Sequence, residues 1–252
     1  MSVTTLKKQL FAMDYPTVQY NDNFKIVGPV KLPIKIESIK KNSMRAYLFA
    51  AKKENYLVCL FGNIDHAKNI LVRISSACIF GFVCKSMLCD CHDQFEESIK
   101  KMVEADAGLL IFCMDQHGKG IGIEAHFLVY AEGQRRNIGL FSEIYEELGL
   151  KQDYRCYEET VDIIKYFKNK NQFERITMLT ESPDKINFFK TRCNQLDIDV
   201  QFDSFETQIT PENDAELSEK VELGYHIKNS LKKKNKVINN PMDFKITESQ
   251  VI

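Results

Sequence analysis

The sequence predicts an α+β protein, with an N-terminal antiparallel, barrel-like sheet followed by a mixed α/β part that includes a βαβ unit. Three observations predict it. Residues 24–83 are dominated by short runs rich in β-branched and aromatic residues. From residue 94 onward the apolar spacing becomes helical. Near residue 180 a strand pattern, a helix pattern and a second strand pattern follow one another.

The first 22 residues read as a loose arm. FKIVG, VKLPIKIESI, MRAYLFAA, NYLVCLFG and NILVRIS are then separated by Asn, Asp, Gly and Lys, which gives the rhythm of an antiparallel sheet or small barrel. Residues 94–106 predict a helix with Phe95, Ile99, Met102 and Val103 on one face, Glu–Lys pairs opposite, and Gly108 as its stop. LLIFCM reads as a buried strand. A glycine-rich turn in DQHGKGIGIEAHFLVYAEG feeds a further helix, and residues 158–169 predict another with Val161, Ile164 and Phe167 inward. RITMLT, SPDKINFFKTRCNQL and IDVQF complete the strand–helix–strand unit, with Ser182 at the N-cap and Pro183 in the first helical position. Residues 229–252, rich in Lys and Asn, read as a peripheral tail, leaving residues 23–228 as one domain.

Composition narrows the function. A chain of 252 residues with 44% hydrophobic content can bury a sizeable core. A net charge of -1 argues against a general nucleic-acid or membrane-surface role. No run reaches membrane-spanning length and the start lacks a signal-peptide pattern, so a cytoplasmic location is expected. Eight cysteines in such a chain read as thiols rather than disulfides.

Three of those thiols form the strongest signal. Cys78, Cys89 and Cys91 stand in a Cys-x(10)-Cys-x-Cys array ending in CDCHDQF. Cys89 and Cys91 can reach one ion from a tight turn, and Cys78 returns across the ten-residue excursion. Three ligands with an open position hold a reactive water; a closed structural site would need a fourth ligand, for which His92 is the nearest choice. Cys59, Cys84, Cys113, Cys156 and Cys193 read as packing residues.

Anion cradles lie further on. Gly118, Gly120 and Gly122 permit close backbone approach, and Lys119 among them places an ammonium beside free N–H groups. In LTESPDK, Thr180 ends a strand and Lys185 opens a helix, the usual ligand position in an α/β unit. Asp153 and Arg155 would face the same way in an extended segment, a carboxylate beside a guanidinium able to clamp phosphate. Taken singly, the glycine turn, the capped strand–helix junction, the charge pair and Tyr130 each have an ordinary structural explanation. His66, His126 and His226 suggest no function.

In order along the chain, VRISSAC, CDCHDQF, GKGIG, LGLKQDYR, LTESPDK and TPENDAELSEKVELGYH resemble the GTP cyclohydrolase II family over about four-fifths of the sequence. The resemblance implies the fold of that family and a zinc-dependent hydrolase that opens the imidazole ring of GTP. Formate and pyrophosphate are released, giving a diaminopyrimidinone ribosyl phosphate for riboflavin biosynthesis. It implies Cys78, Cys89 and Cys91 as ligands of one zinc ion per chain, with Mg²⁺ assisting departure of pyrophosphate. Asp153 corresponds to a proton acceptor, Arg155 to a nucleophile toward the α-phosphate, and Tyr130 to an active-site tyrosine. Arg73, Ser76, Gln94, His117, Gly118, Lys119, Thr180 and Lys185 correspond to nucleotide-binding positions. A homodimer is implied, and the sequence reads as a stand-alone unit without the dihydroxybutanone phosphate synthase domain fused to some relatives.

The sequence also departs from the family pattern. A histidine and a carboxylate before the first zinc ligand are Ser75 and Ala77 here, and the family's E-G-R turn is His117-Gly118-Lys119. His92 and Asp93 replace a small residue and its neighbour, and a family threonine falls near Phe141. Because Lys presents a point charge where Arg presents a fork, the cradle is altered. The metal ligands and the Tyr130, Asp153 and Arg155 trio are retained, which favours a working enzyme. Three readings follow: hydrolysis of GTP; action on a different purine or pyrimidine, or a halt at a formylated intermediate; and a non-catalytic nucleotide-binding protein.

Overall fold

A computed structural model describes residues 17–36, 39–207 and 209–225, together with positions 2, 4 and 5. The expected tail over residues 229–252, His226 and most of the expected N-terminal arm lie outside the described residues. Within the span read as an arm, Thr17–Gln19 forms strand β1.

Strands β2 (Lys25–Ile36), β3 (Ile39–Ala50), β4 (Asn55–Gly62), β5 (Asn69–Ser76), β6 (Ala107–Cys113), β7 (Arg175–Leu179) and β8 (Asp199–Asp203) join β1 in one eight-stranded sheet of order β1-β2-β3-β4-β6-β5-β7-β8. The strands β1 to β4 and β6 pair antiparallel. β6, β5, β7 and β8 pair parallel. The antiparallel strands thus continue directly into the parallel ones instead of forming a separate barrel-like part. FKIVG and VKLPIKI, read as two strands, run together as β2.

The helices are α1 (Ile79–Phe82), α2 (Cys91–Glu104), α3 (Ile123–Arg136), α4 (Phe141–Glu147), α5 (Glu158–Asn171), α6 (Pro183–Asn194) and α7 (Asp214–Glu222). Alternation along the strands sends side chains to two apolar layers. Val58, Leu60, Leu109 and Ile111 pack with Val161, Ile164 and Phe167 of α5 and with Phe189 and Cys193 of α6. Cys59, Phe61 and Leu110 face the other way, toward Met102 of α2 and the partly buried Phe95, Ile99 and Val103. β6 is therefore covered on both faces, which explains why AGLLIFC reads as an unbroken apolar run.

Gly108 does not stop α2. The chain leaves that helix through Asp106, whose φ is 49°, and Gly108 lies within β6. A Cβ there would stand 2.4 Å from Met102 Cβ, so glycine is needed for the close packing of helix on strand. Ser182 caps α6 by accepting from the Lys185 amide, and Pro183 opens that helix. The helices α1, α4 and α7 have no counterpart in the sequence reading.

The consequence for function is positional. The parallel strands β5, β6 and β7 all end at one edge of the sheet. Ligands in α/β sheets bind outside such carboxyl ends, where loops and helix N-termini converge. The thiol array, the glycine turn and LTESPDK each follow one of these three strands.

Candidate active site and metal centre

Cys78, just beyond β5, begins α1; Cys89 precedes α2 and Cys91 is its first residue. The three sulfurs lie within 4.8 Å of one another, with Cys78 and Cys89 at 3.9 Å. Three thiolates on a tetrahedral zinc with bonds of about 2.3 Å would stand roughly 3.8 Å apart, so this donor set fits the ion without rearrangement. Gly81 makes the cradle possible: a Cβ there would meet Cys91 Cβ at 3.1 Å, Cys89 Sγ at 3.2 Å and Cys78 Sγ at 3.4 Å. The Gly81 amide also donates to Cys78 Sγ at 3.4 Å. The Cys91 thiol is held well below its ordinary range, because it accepts from Cys78 and Cys89 and because Lys220 and Arg73 lie nearby. Among the described residues no histidine or carboxylate joins the group, so His92 does not close it.

One cavity lies over these thiols. Of the residues singled out in the sequence, Arg73, Ser76, Gln94, Gly118, Lys119, Tyr130, Arg155, Thr180 and Lys185 line it with the three cysteines. His117 and Asp153 do not. The His117 carbonyl accepts from Gly120 and Gly122, and burial pushes its imidazole down. Asp153 stands behind Arg155 and grips it: Arg155 Nε donates to both carboxylate oxygens at 2.9 Å and the Arg155 amide to Oδ1 at 2.8 Å. Burial disfavours charge on Arg155, but Tyr157 and Asp153 outweigh it and hold the guanidinium firmly protonated.

The glycine turn is tied to this pair. Tyr154 donates its amide to the Lys119 carbonyl at 2.9 Å, and Tyr145 Oη donates to the Gly118 carbonyl at 2.7 Å. Gly120, with φ 90°, approaches so closely that a Cβ would stand 3.0 Å from the Arg155 amide nitrogen. Tyr130, 8% exposed, packs on Phe80 of α1 and on Phe141, with ring centroids 4.4 and 4.8 Å away. Burial and the adjacent thiols raise its hydroxyl above the ordinary range, so it stays protonated and able to donate.

Arg73 is pinned by Leu179 O at 2.9 Å and Gln94 Oε1 at 2.7 Å. Ser76 Oγ donates to Gln116 Oε1 at 3.1 Å. Lys185 donates to Ile74 O at 3.0 Å, and its burial, with Arg155 and Arg73 beside it, lowers its ammonium well below the ordinary range. The cavity has a basic side carrying Arg155, Lys119 and Lys185, of which Arg155 is the firmly charged member.

Its other side is acidic and was not foreseen. Asp90, Glu181, Glu216 and Lys220 also line it. Asp90, 1% exposed, accepts from Gln94 Nε2 at 2.8 Å and from Lys220 Nζ at 2.5 Å. Glu181 accepts from Gln94 Nε2 at 3.0 Å through Oε2, while Oε1 is enclosed without a hydrogen-bond partner. Burial, helped by Asp90, pushes the Glu181 carboxyl up to about 7. Its ordinary value is 4.5, so between the two the folded chain keeps a proton that the unfolded chain has released. Stability accordingly falls as pH rises across that window and stays low above it. Glu181→Gln should match the native protein near pH 5 and exceed it by about 1–2 kcal/mol near pH 8. Thermal unfolding of the zinc-free proteins at both pH values checks this, and an unchanged gap contradicts it.

Against this geometry, the family model for GTP cyclohydrolase II matches residues 29–200, which include all three thiols. The chain belongs to the GTP cyclohydrolase II family. It is 35% identical to a GTP cyclohydrolase-2 of Picrophilus torridus over 150 residues, 59% of this chain and 74% of that protein. It is 32% identical to a GTP cyclohydrolase-2 of Campylobacter hominis over 165 residues, 65% of this chain and 77% of the relative. A second Campylobacter protein of that name, from Campylobacter fetus, is 34% identical over 147 residues, covering 58% and 70%. The identities are those of a diverged member. Membership with an intact thiol cluster supports a hydrolase of this general class that binds a nucleotide. No helix among the described residues is long and apolar enough to cross a membrane.

Proposed function

We propose that the protein is a zinc-dependent hydrolase that opens the imidazole ring of GTP, releasing formate and pyrophosphate and leaving a diaminopyrimidinone ribosyl phosphate. The observation that carries this reading is the convergence of three thiols, Tyr130 and Arg155 on one cavity at the carboxyl ends of β5, β6 and β7. Cys78, Cys89 and Cys91 would hold zinc, which would supply Lewis acidity and an activated water for hydrolysis at C8 of the purine. The chain's own residues do the rest. Tyr130 donates its phenolic proton toward the ring nitrogens as the C8 bonds are hydrolysed.

The two sides of the cavity suit the two ends of a guanine nucleotide. Arg155, Lys119 and Lys185 take the phosphates, where Mg²⁺ would supply further charge neutralisation for pyrophosphate. The firm protonation of Arg155 favours its use as an α-phosphate clamp, held in register by Asp153, over use as a nucleophile. Thr180 and Arg73 frame the nucleotide between the ends, with Ser76 and Gln94. The free Glu181 Oε1 suits the N1–H and 2-amino edge of guanine, which adenine lacks. Gly118 and Lys119 supply backbone and ammonium, while His117 shapes the turn from behind.

A homodimer, a place in riboflavin supply and a cytoplasmic setting complete the proposal; eight free thiols suit a reducing compartment. Formate release from GTP, GDP, GMP and ATP by the zinc-loaded protein tests substrate choice. GTP should lead, with ATP lower by about 10²-fold or more because Glu181 would face an edge without matching donors. Formate from ATP at the GTP rate would refute the guanine reading.

A further inference from the structure

The mechanism above leaves enclosed groups of the cavity unused, Glu216 among them. Glu216 lies on α7, one helical turn before Lys220, and both line the cavity over the thiols. Its Oε1 accepts from Lys220 Nζ at 2.9 Å. Lys220 is in turn bound to Asp90 Oδ1 at 2.5 Å, and Asp90 stands in sequence between Cys89 and Cys91. The other oxygen, Oε2, is enclosed and has no hydrogen-bond partner among the described residues. Cys91, Cys89 and the Tyr130 hydroxyl are its electrostatic neighbours. An enclosed carboxyl oxygen with no donor supplied by the fold is left open to a hydrogen bond with a ligand.

We propose that Glu216 is a further active-site residue, whose Oε2 accepts a hydrogen bond from the water that attacks the substrate beside the three thiols. Lys220, anchored on Asp90, is a positioning residue that fixes the carboxylate for this contact. The role follows from the arrangement: one oxygen is spent on the anchor, and the other is enclosed and unpartnered on a residue that lines the same cavity as the thiols. No second donor competes for it among the described residues. Glu216 does not belong to the metal-ligand group, so it acts on the water and not as a fourth ligand. The proposal rests on the hydrolytic reading of the cavity.

The test uses the full chain loaded with zinc for kinetics and with Co²⁺ for spectroscopy. Glu216→Gln keeps the shape and removes the strong acceptor. It should lower kcat for formate release by about 10²-fold with KM within about threefold, and Glu216→Asp should recover part of the loss. Lys220→Met should lower kcat by about tenfold in the same manner. In the Co²⁺ form, Glu216→Gln should retain the thiolate charge-transfer bands and shift the d–d bands, which a merely structural residue would leave in place. A Glu216→Gln enzyme with native kcat overturns the proposal, as does a variant that no longer takes up Co²⁺. If the native protein releases no formate, the hydrolytic reading itself fails. The d–d bands then decide separately whether Glu216 reaches the centre: a shift keeps that contact, and bands identical to the native ones remove it.

Discussion

Replacing Cys89 by serine will remove zinc from the protein and, with it, formate release. Cys89 sits 3.9 Å from Cys78, and Glu216 lies near both Cys89 and Cys91. A serine hydroxyl keeps its proton at neutral pH and cannot offer the soft anionic donor that zinc selects. Zinc content should fall from about one per chain to less than about a tenth, and turnover by about 10³-fold or more. Metal analysis and formate assay on the same preparation check both. The control is Cys193→Ser, which alters a thiol buried in the core away from the centre. That variant should lose stability but keep its zinc. A Cys89→Ser protein that retains full zinc and turnover would mean that the thiol cluster is incidental.

Arg155→Ala should reduce kcat/KM by about 10²–10³-fold, because it removes the partly buried guanidinium that the proposed function assigns to the phosphates. Its partner Asp153 would then be left partly buried without its ion-pair partner, so some loss of stability accompanies the kinetic effect. Arg155→Lys should restore less than about a tenth of the activity. A single ammonium cannot make the paired contacts to Asp153 and hold a phosphate at the same time. Steady-state kinetics with pyrophosphate and formate followed separately will show whether the two products fall together. Near-native kcat/KM in Arg155→Ala would remove Arg155 from the mechanism.

The parts of this protein that the sequence makes legible are those governed by local spacing. The β-branched and aromatic run NYLVCLFG and the unbroken apolar LLIFC announce β4 and β6, strands whose residues are largely buried. Ser182 and Pro183 announce the start of α6. The cysteine spacing announces the thiol cluster, whose three sulfurs do converge. Gly108 misleads, because a glycine required for close helix–strand packing looks the same as one that ends a helix.

The acidic side of the cavity is hidden for a related reason. Glu216 and Lys220 are spaced four apart on an amphipathic segment, the pattern of a solvated surface pair. Only the docking of α7 beside Asp90 turns them inward. Glu181 follows Thr180 in what reads as an ordinary capped connection, and its burial depends on Gln94 from α2. The loss of a carboxylate at Ala77 can be read from the sequence, whereas carboxylates brought to the cavity from other elements cannot. Tertiary placement alone supplies them.

The measurement that tests the central claim most directly is one incubation of zinc-loaded protein with GTP and Mg²⁺, with formate and pyrophosphate quantified together. Release of both in equal amounts, abolished in Cys89→Ser, is the predicted result. Neither product from a protein that holds its zinc would contradict the claim that this cavity hydrolyses GTP.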